Sequence, residues 1–143
     1  MPSNVATGTS ATPRSPVATL LGTLRPGDHL AIQAFVDPVS EAALALAAAR
    51  TELRDAHRVA TSLGFGPRFL HSTGQLHKGG PRSIVCVQVV ADGSHDIAIP
   101  GGDLTFGRLE QAQAVGDLRT LQARGIRAGR VSLDALCRRG MLA

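Results

Sequence analysis

Within eight consecutive residues, His71-Ser72-Thr73-Gly74-Gln75-Leu76-His77-Lys78, the chain carries two imidazoles, two hydroxyls, an amide and an ammonium, and Gly79-Gly80-Pro81 follows at once. Imidazole titrates near neutrality and can move a proton at physiological pH, while the hydroxyls, the amide and Lys78 offer donors and acceptors to a hydroxylated or anionic substrate. Arg68, just upstream, adds a cation. The competing reading is a glycine-rich turn whose polar side chains bond their own backbone, with His77 merely pinning the loop. A metal pair of His71 and His77 finds no third ligand at a recognisable spacing, so no metal is expected. The chain also lacks the Gly-x-Ser-x-Gly elbow of a serine hydrolase and the Gly-x-x-x-x-Gly-Lys-Ser/Thr phosphate loop.

Composition narrows the partners. Apolar residues make up 43% of the 143, but aromatics only 3%, with no Trp or Tyr, so the core must be built from Leu, Val, Ile and Ala. Stacking on unpaired bases needs aromatic faces, which argues against nucleic acid. The net charge of +4 still suits an anionic metabolite. Cys86 and Cys137 are too few for a disulfide framework, and Cys86 stands in an apolar run where a thiol packs as a small hydrophobe. Nothing approaches the roughly 18 consecutive apolar residues of a membrane span, and no apolar signal core opens the chain. A cytoplasmic protein with one domain is expected.

The elements that must position the polar stretch follow in order. Met1 to Pro16, rich in Ser, Thr, Pro and Ala, reads as a disordered tail, with the domain occupying 17–143. Val17 to Leu24 suits a short helix and Arg25-Pro26-Gly27-Asp28 a turn. His29 to Val36 has the apolar character of a strand buried on both faces. Asp37-Pro38 then opens a helix, aspartate as N-cap and proline at the first position, whose stripe of Val39, Ala42, Leu46, Ala49, Leu53, Ala56, Ala60 and Leu63 runs on to Gly64. Phe69-Leu70 leads as a strand into the polar loop. Ser83 to Ala91 is the strongest strand. A second helix, capped by Asp103 or Thr105 and ending before Gly125, turns Leu109, Ala112, Val115, Leu118 and Leu121 inward. Arg130 to Leu133 forms a last strand, and a short basic helix begins at Asp134. Helices alternating with apolar strands imply an α/β layer with a mostly parallel sheet.

The run Gly64-Phe65-Gly66-Pro67-Arg68-Phe69-Leu70-His71-Ser72-Thr73-Gly74-Gln75-Leu76-His77-Lys78-Gly79-Gly80-Pro81 closely resembles the glucose-6-phosphate isomerase segment of bacterial transaldolase/glucose-6-phosphate isomerase fusion proteins. Arg25-Pro26-Gly27-Asp28, Ile99-Pro100-Gly101, Thr105-Phe106-Gly107 and Ala112-Gln113-Ala114-Val115-Gly116-Asp117-Leu118 resemble further pieces in the same order. The resemblance implies a Rossmann-like α/β sandwich of the sugar-isomerase type, this chain looking like the carboxyl-terminal part of the second of two such domains. It also implies aldose-ketose isomerisation of a sugar phosphate, glucose 6-phosphate to fructose 6-phosphate, without a cofactor. By its place in the Gly-Gln and His-x-Gly motif, His77 inherits ring opening.

A glutamate should shuttle the proton between the two carbons. None of Glu41, Glu52 and Glu110 stands in the Glu-Ser-Asn-Gly context of ordinary members. Glu52, on the long helix, is the candidate, with a solvated helix face as its alternative role. Lys78, Gln75, Ser72, Thr73, His71 and Arg68 would contact the sugar phosphate. The first domain of the family has no counterpart here, so activity implies a partner chain or a homo-oligomer. The alternatives are a non-catalytic module that binds a sugar phosphate or a partner, and a scaffold recruited to another small-molecule reaction.

Overall fold

The computed structural model describes residues 15–92 and 96–140. In order the chain forms α1 (Pro16–Leu21), β1 (His29–Phe35), α2 (Glu41–His57), β2 (Ala60–Phe65), a 3-10 turn (Arg68–His71), α3 (Thr73–Gly79), β3 (Ile84–Val90), α4 (Phe106–Ala123), β4 (Arg127–Val131) and α5 (Leu133–Gly140). The strands make one all-parallel sheet in the order β2-β1-β3-β4. Helices cover both faces, giving the expected Rossmann-like three-layer sandwich. Most of the expected tail lies outside the described residues; Ser15 and Pro16, its last two, instead cap and open α1.

Side chains alternate along a strand, so β1 and β3 each present two faces. Leu30, Ile32 and Ala34 of β1 and Val85, Val87 and Val89 of β3 pack with Val17 and Leu21 of α1, Leu46 and Leu53 of α2, and Leu136 of α5. The centre of that layer is apolar, with Thr61 of β2 and Arg127 of β4 as polar residues at its edges. The opposite face is mixed: Ala31 and Cys86 meet Leu121 and Ile126, and Phe35 meets Phe69 and Ala114, but Gln33 and Gln88 are fully buried beside them. Burial pushes the Cys86 thiol up to about 12. Before β1, the Asp28 carboxylate accepts two hydrogen bonds from Arg127, at 2.8 and 2.9 Å, and one from the Arg25 N–H. Those bonds hold the Asp28 carboxyl below the usual carboxylate range and tie the turn to the start of β4.

Several expectations need correction. Ser40, not Asp37, caps α2, and the helix ends at His57, where Arg58 takes a left-handed conformation (φ 52°) and its N–H bonds Arg54 O. Ala60 and Leu63 satisfy a helical stripe, but Val59-Ala60-Thr61-Ser62-Leu63-Gly64-Phe65 fits an extended chain equally well, and pairing with β1 over six residues decides the matter. The segment that reads as a strand at Phe69-Leu70 and a loop at His71 to Lys78 is helical instead, a 3-10 turn running into α3. β4 begins three residues earlier than Arg130. On α4, Thr105 is the cap as expected, but the buried positions are Ala114, Asp117 and Leu121, while Leu109 and Ala112 are exposed.

Candidate functional site

α3 exists because its second residue has no side chain. A Cβ on Gly74 would lie 2.8 Å from Phe69 O, so only glycine lets the helix stack onto the preceding turn. This docking drives His77 inward against β1, to 4% exposure. Gln33 Nε2 donates to His77 Nδ1 at 2.9 Å, which places the proton of the neutral ring on Nε2. The His29 ring stands edge-on to it, centroids 6.3 Å apart, and His29 Nε2 lies 2.9 Å from Ser62 Oγ. Burial pushes the His77 pKa down, and the neighbouring His29 lowers it further against an opposing pull from Asp117. Burial likewise lowers His29.

One residue on, Lys78 reaches α4 instead. Its Nζ lies 2.7 Å from Asp117 Oδ1, with only 18% of the lysine and 1% of the aspartate side chain exposed. Close as they are, no donor among the described residues meets either Asp117 oxygen at a hydrogen-bonding angle, and Gln33 Oε1 is likewise without one. Further across, Gln88 Nε2 donates to Ala114 O and Arg130 Nε donates to Gln88 Oε1, both at 2.9 Å. A polar seam thus runs under α3 and α4.

The other residues singled out in the sequence are engaged locally or separated. Ser72 Oγ donates to Phe69 O at 3.4 Å and Gln75 Nε2 to Leu70 O at 2.7 Å. Arg68, His71 and Thr73 are exposed on the same outer surface. Glu52 stands on α2, beneath the apolar face of the sheet, close enough to Cys137 of α5 to help push that thiol up after burial and Asp134. His77 and Glu52 therefore occupy opposite layers, and the structure does not bring the expected proton-shuttling pair together. His71 and His77 do not converge on a common centre either: one is exposed, the other buried, and no metal-holding group of three ligands occurs among the described residues.

A cleft that the motif search did not single out opens elsewhere. The chain leaves β1 through α2 toward β2 and leaves β3 through α4 toward β4, on opposite layers and in opposite directions along the sheet. Loops diverging in this way leave a crevice at the carboxyl ends of the strands. The crevice measures about 940 Å³, floored by Phe35 and Val90 and bordered by Ser40, Asp37, Asp92, Glu110 and Asp134, with no Lys, Arg or His among the described residues that line it. A recess of about 440 Å³ adjoins it past Asp96, Gly107 and Arg108. Burial, and then the charge of Asp96, raises the Glu110 carboxyl. The signal in the sequence was present but modest: two central apolar strands each followed by an aspartate, Asp37 and Asp92.

No protein-family model and no curated protein matches the chain. Among solved structures, it is similar to a hypothetical protein from Thermus thermophilus, with 19% identity and a TM-score of 0.66. The match covers 81% of this chain and 32% of that one, so this chain spans about a third of its neighbour's length. A likeness at this identity shows the fold.

Proposed function

We propose that this chain is a sugar-isomerase-like domain that holds a sugar-sized ligand in the crevice between the ends of β1 and β3 and does not by itself carry a complete isomerase centre. One spatial observation carries the reading: His77 lies enclosed beneath α3, Glu52 lies across the sheet, and the roomy crevice is formed by neither. General acid-base work needs both groups within hydrogen-bond reach of one substrate. We place the domain in the cytoplasm, where a buried thiol such as Cys86 stays reduced. A coupled assay of the isolated protein with fructose 6-phosphate should give no turnover above the blank, for wild type and His77→Ala alike. Turnover that disappears in His77→Ala would overturn the reading.

A second reading is favoured by the resemblance at Gly64 to Pro81 and by the share of the structural neighbour's length that the chain spans. In it, the domain becomes an isomerase of glucose 6-phosphate and fructose 6-phosphate once another chain or a second copy supplies the missing groups, with α3 shifting to free His77 and Lys78. Isomerase activity appearing only in the mixed complex, and lost with His77→Ala, would establish it.

A further inference from the structure

α3 is held to the sheet in a way the other helices are not. At seven residues it is too short to persist in water unsupported, so its docking must stabilise it. Its one large apolar side chain, Leu76, is 61% exposed, and the two residues it buries are Gly74, which has no side chain, and His77. The other helices bury aliphatic side chains instead, such as Val17 and Leu21 of α1, Leu46 and Leu53 of α2, Leu121 of α4 and Leu136 of α5. Apart from the pair of Lys78 with Asp117, what fixes α3 is therefore an imidazole, whose Nδ1 accepts from Gln33 Nε2 of β1. The helix runs out at Gly79 and Gly80, backbone that no side chain restrains from swinging.

A proton on His77 undoes this contact, because Nδ1 then carries a hydrogen and meets the Gln33 amide as donor against donor. The new charge is also buried. On β1, the His29 ring 6.3 Å away opposes a second cation; Asp117 of α4 attracts it but already lies 2.7 Å from Lys78, and Lys78 itself repels it. The 3-10 turn offers only the uncharged Phe69 ring, 6.4 Å off, and β2 the Ser62 hydroxyl on His29. Burial first, and then His29, hold the His77 pKa below the ordinary 6.5. A ring released into water regains the ordinary value, so the released state binds the proton more strongly. Docking is at full strength above about pH 6.5 and weakens as the pH falls beneath it.

We propose that His77 is an acid-sensitive latch: on protonation α3 swings off β1 as a unit and uncovers the seam around Gln33 and Asp117 while the sheet stays folded. The latch does not depend on what the crevice holds. Hydrogen exchange of the whole chain, read by mass spectrometry at about pH 7.5 and about pH 5.5 and corrected for the intrinsic rate, tests it. Amides of Thr73 to Gly80 should lose about tenfold in protection between the two, the factor for one group of ordinary pKa that charges only when released, while those of β1 and β3 keep theirs. In His77→Gln the corrected α3 rate should be the same at both pH values, whereas His29→Gln should retain the acid response. Protection of α3 that does not change with pH in wild type, that falls only together with β1 and β3, or that still responds to acid in His77→Gln overturns the latch. So does a His77 ring that charges, seen in its own side-chain resonances, beneath an α3 that stays protected, since inversion of the Gln33 amide would then have turned its unpartnered Oε1 to the ring.

Discussion

At the scale of single residues, the polar stretch owes its shape to Gly74 and its burial to His77. Gly74→Ala forces a methyl to within 2.8 Å of Phe69 O and should lower the unfolding free energy by about 1–3 kcal/mol, read from urea denaturation. His77 and His29 both have pKa values below the ordinary 6.5, because burial opposes their charged forms. The unfolded chain therefore binds protons that the folded chain refuses as the pH falls below about 6.5, so stability is full above that pH and declines beneath it. A thermal midpoint that is flat above about pH 7 and falls on acidification toward pH 5 is expected, with the slope reduced in His77→Gln. An unchanged slope in that variant would show that His77 is not the buried neutral imidazole described above.

At the scale of elements, Lys78 and Asp117 join α3 to α4. Lys78→Met leaves a carboxylate that is 1% exposed without a counter-charge and should cost about 3–5 kcal/mol, most of it regained in Lys78→Met/Asp117→Leu. A small loss in the single variant would instead mark a lysine held in reserve for a ligand. This pair also illustrates what the sequence discloses and what it hides. The strands His29 to Phe35 and Ile84 to Val90 are legible because both faces are buried, so apolar residues fill each run apart from His29 and one glutamine in each, Gln33 and Gln88. The end of α2 is not legible, since Ala60 and Leu63 satisfy either period and only pairing with β1 selects the strand. α3 is equally hidden: its two glycines and its hydroxyl and amide residues speak for a loop, and the contact with Phe69 that makes it a helix is tertiary. Lys78 looks like a phosphate ligand in the sequence because Asp117, its partner, lies far along the chain.

At the scale of the whole molecule, one sheet face carries the aliphatic core and the other a polar seam, and the two histidines of that seam are spent on packing and hydrogen bonds within the chain. A roomy crevice lies away from them, at the carboxyl ends of β1 and β3, where the crossovers to β2 and β4 diverge. Among the described residues no helix is long and apolar enough to cross a membrane. The proposed function puts the ligand in this crevice and not at the segment His71 to Pro81. Backbone amide shifts in an isotope-labelled sample titrated with glucose and, separately, with fructose 6-phosphate decide between the two places. Shifts confined to Phe35 to Asp37, Ala91, Asp92 and the first two turns of α4 are predicted. Shifts centred on Gln75 to Gly80, with the crevice silent, would overturn the crevice as the ligand site and return His77 to it.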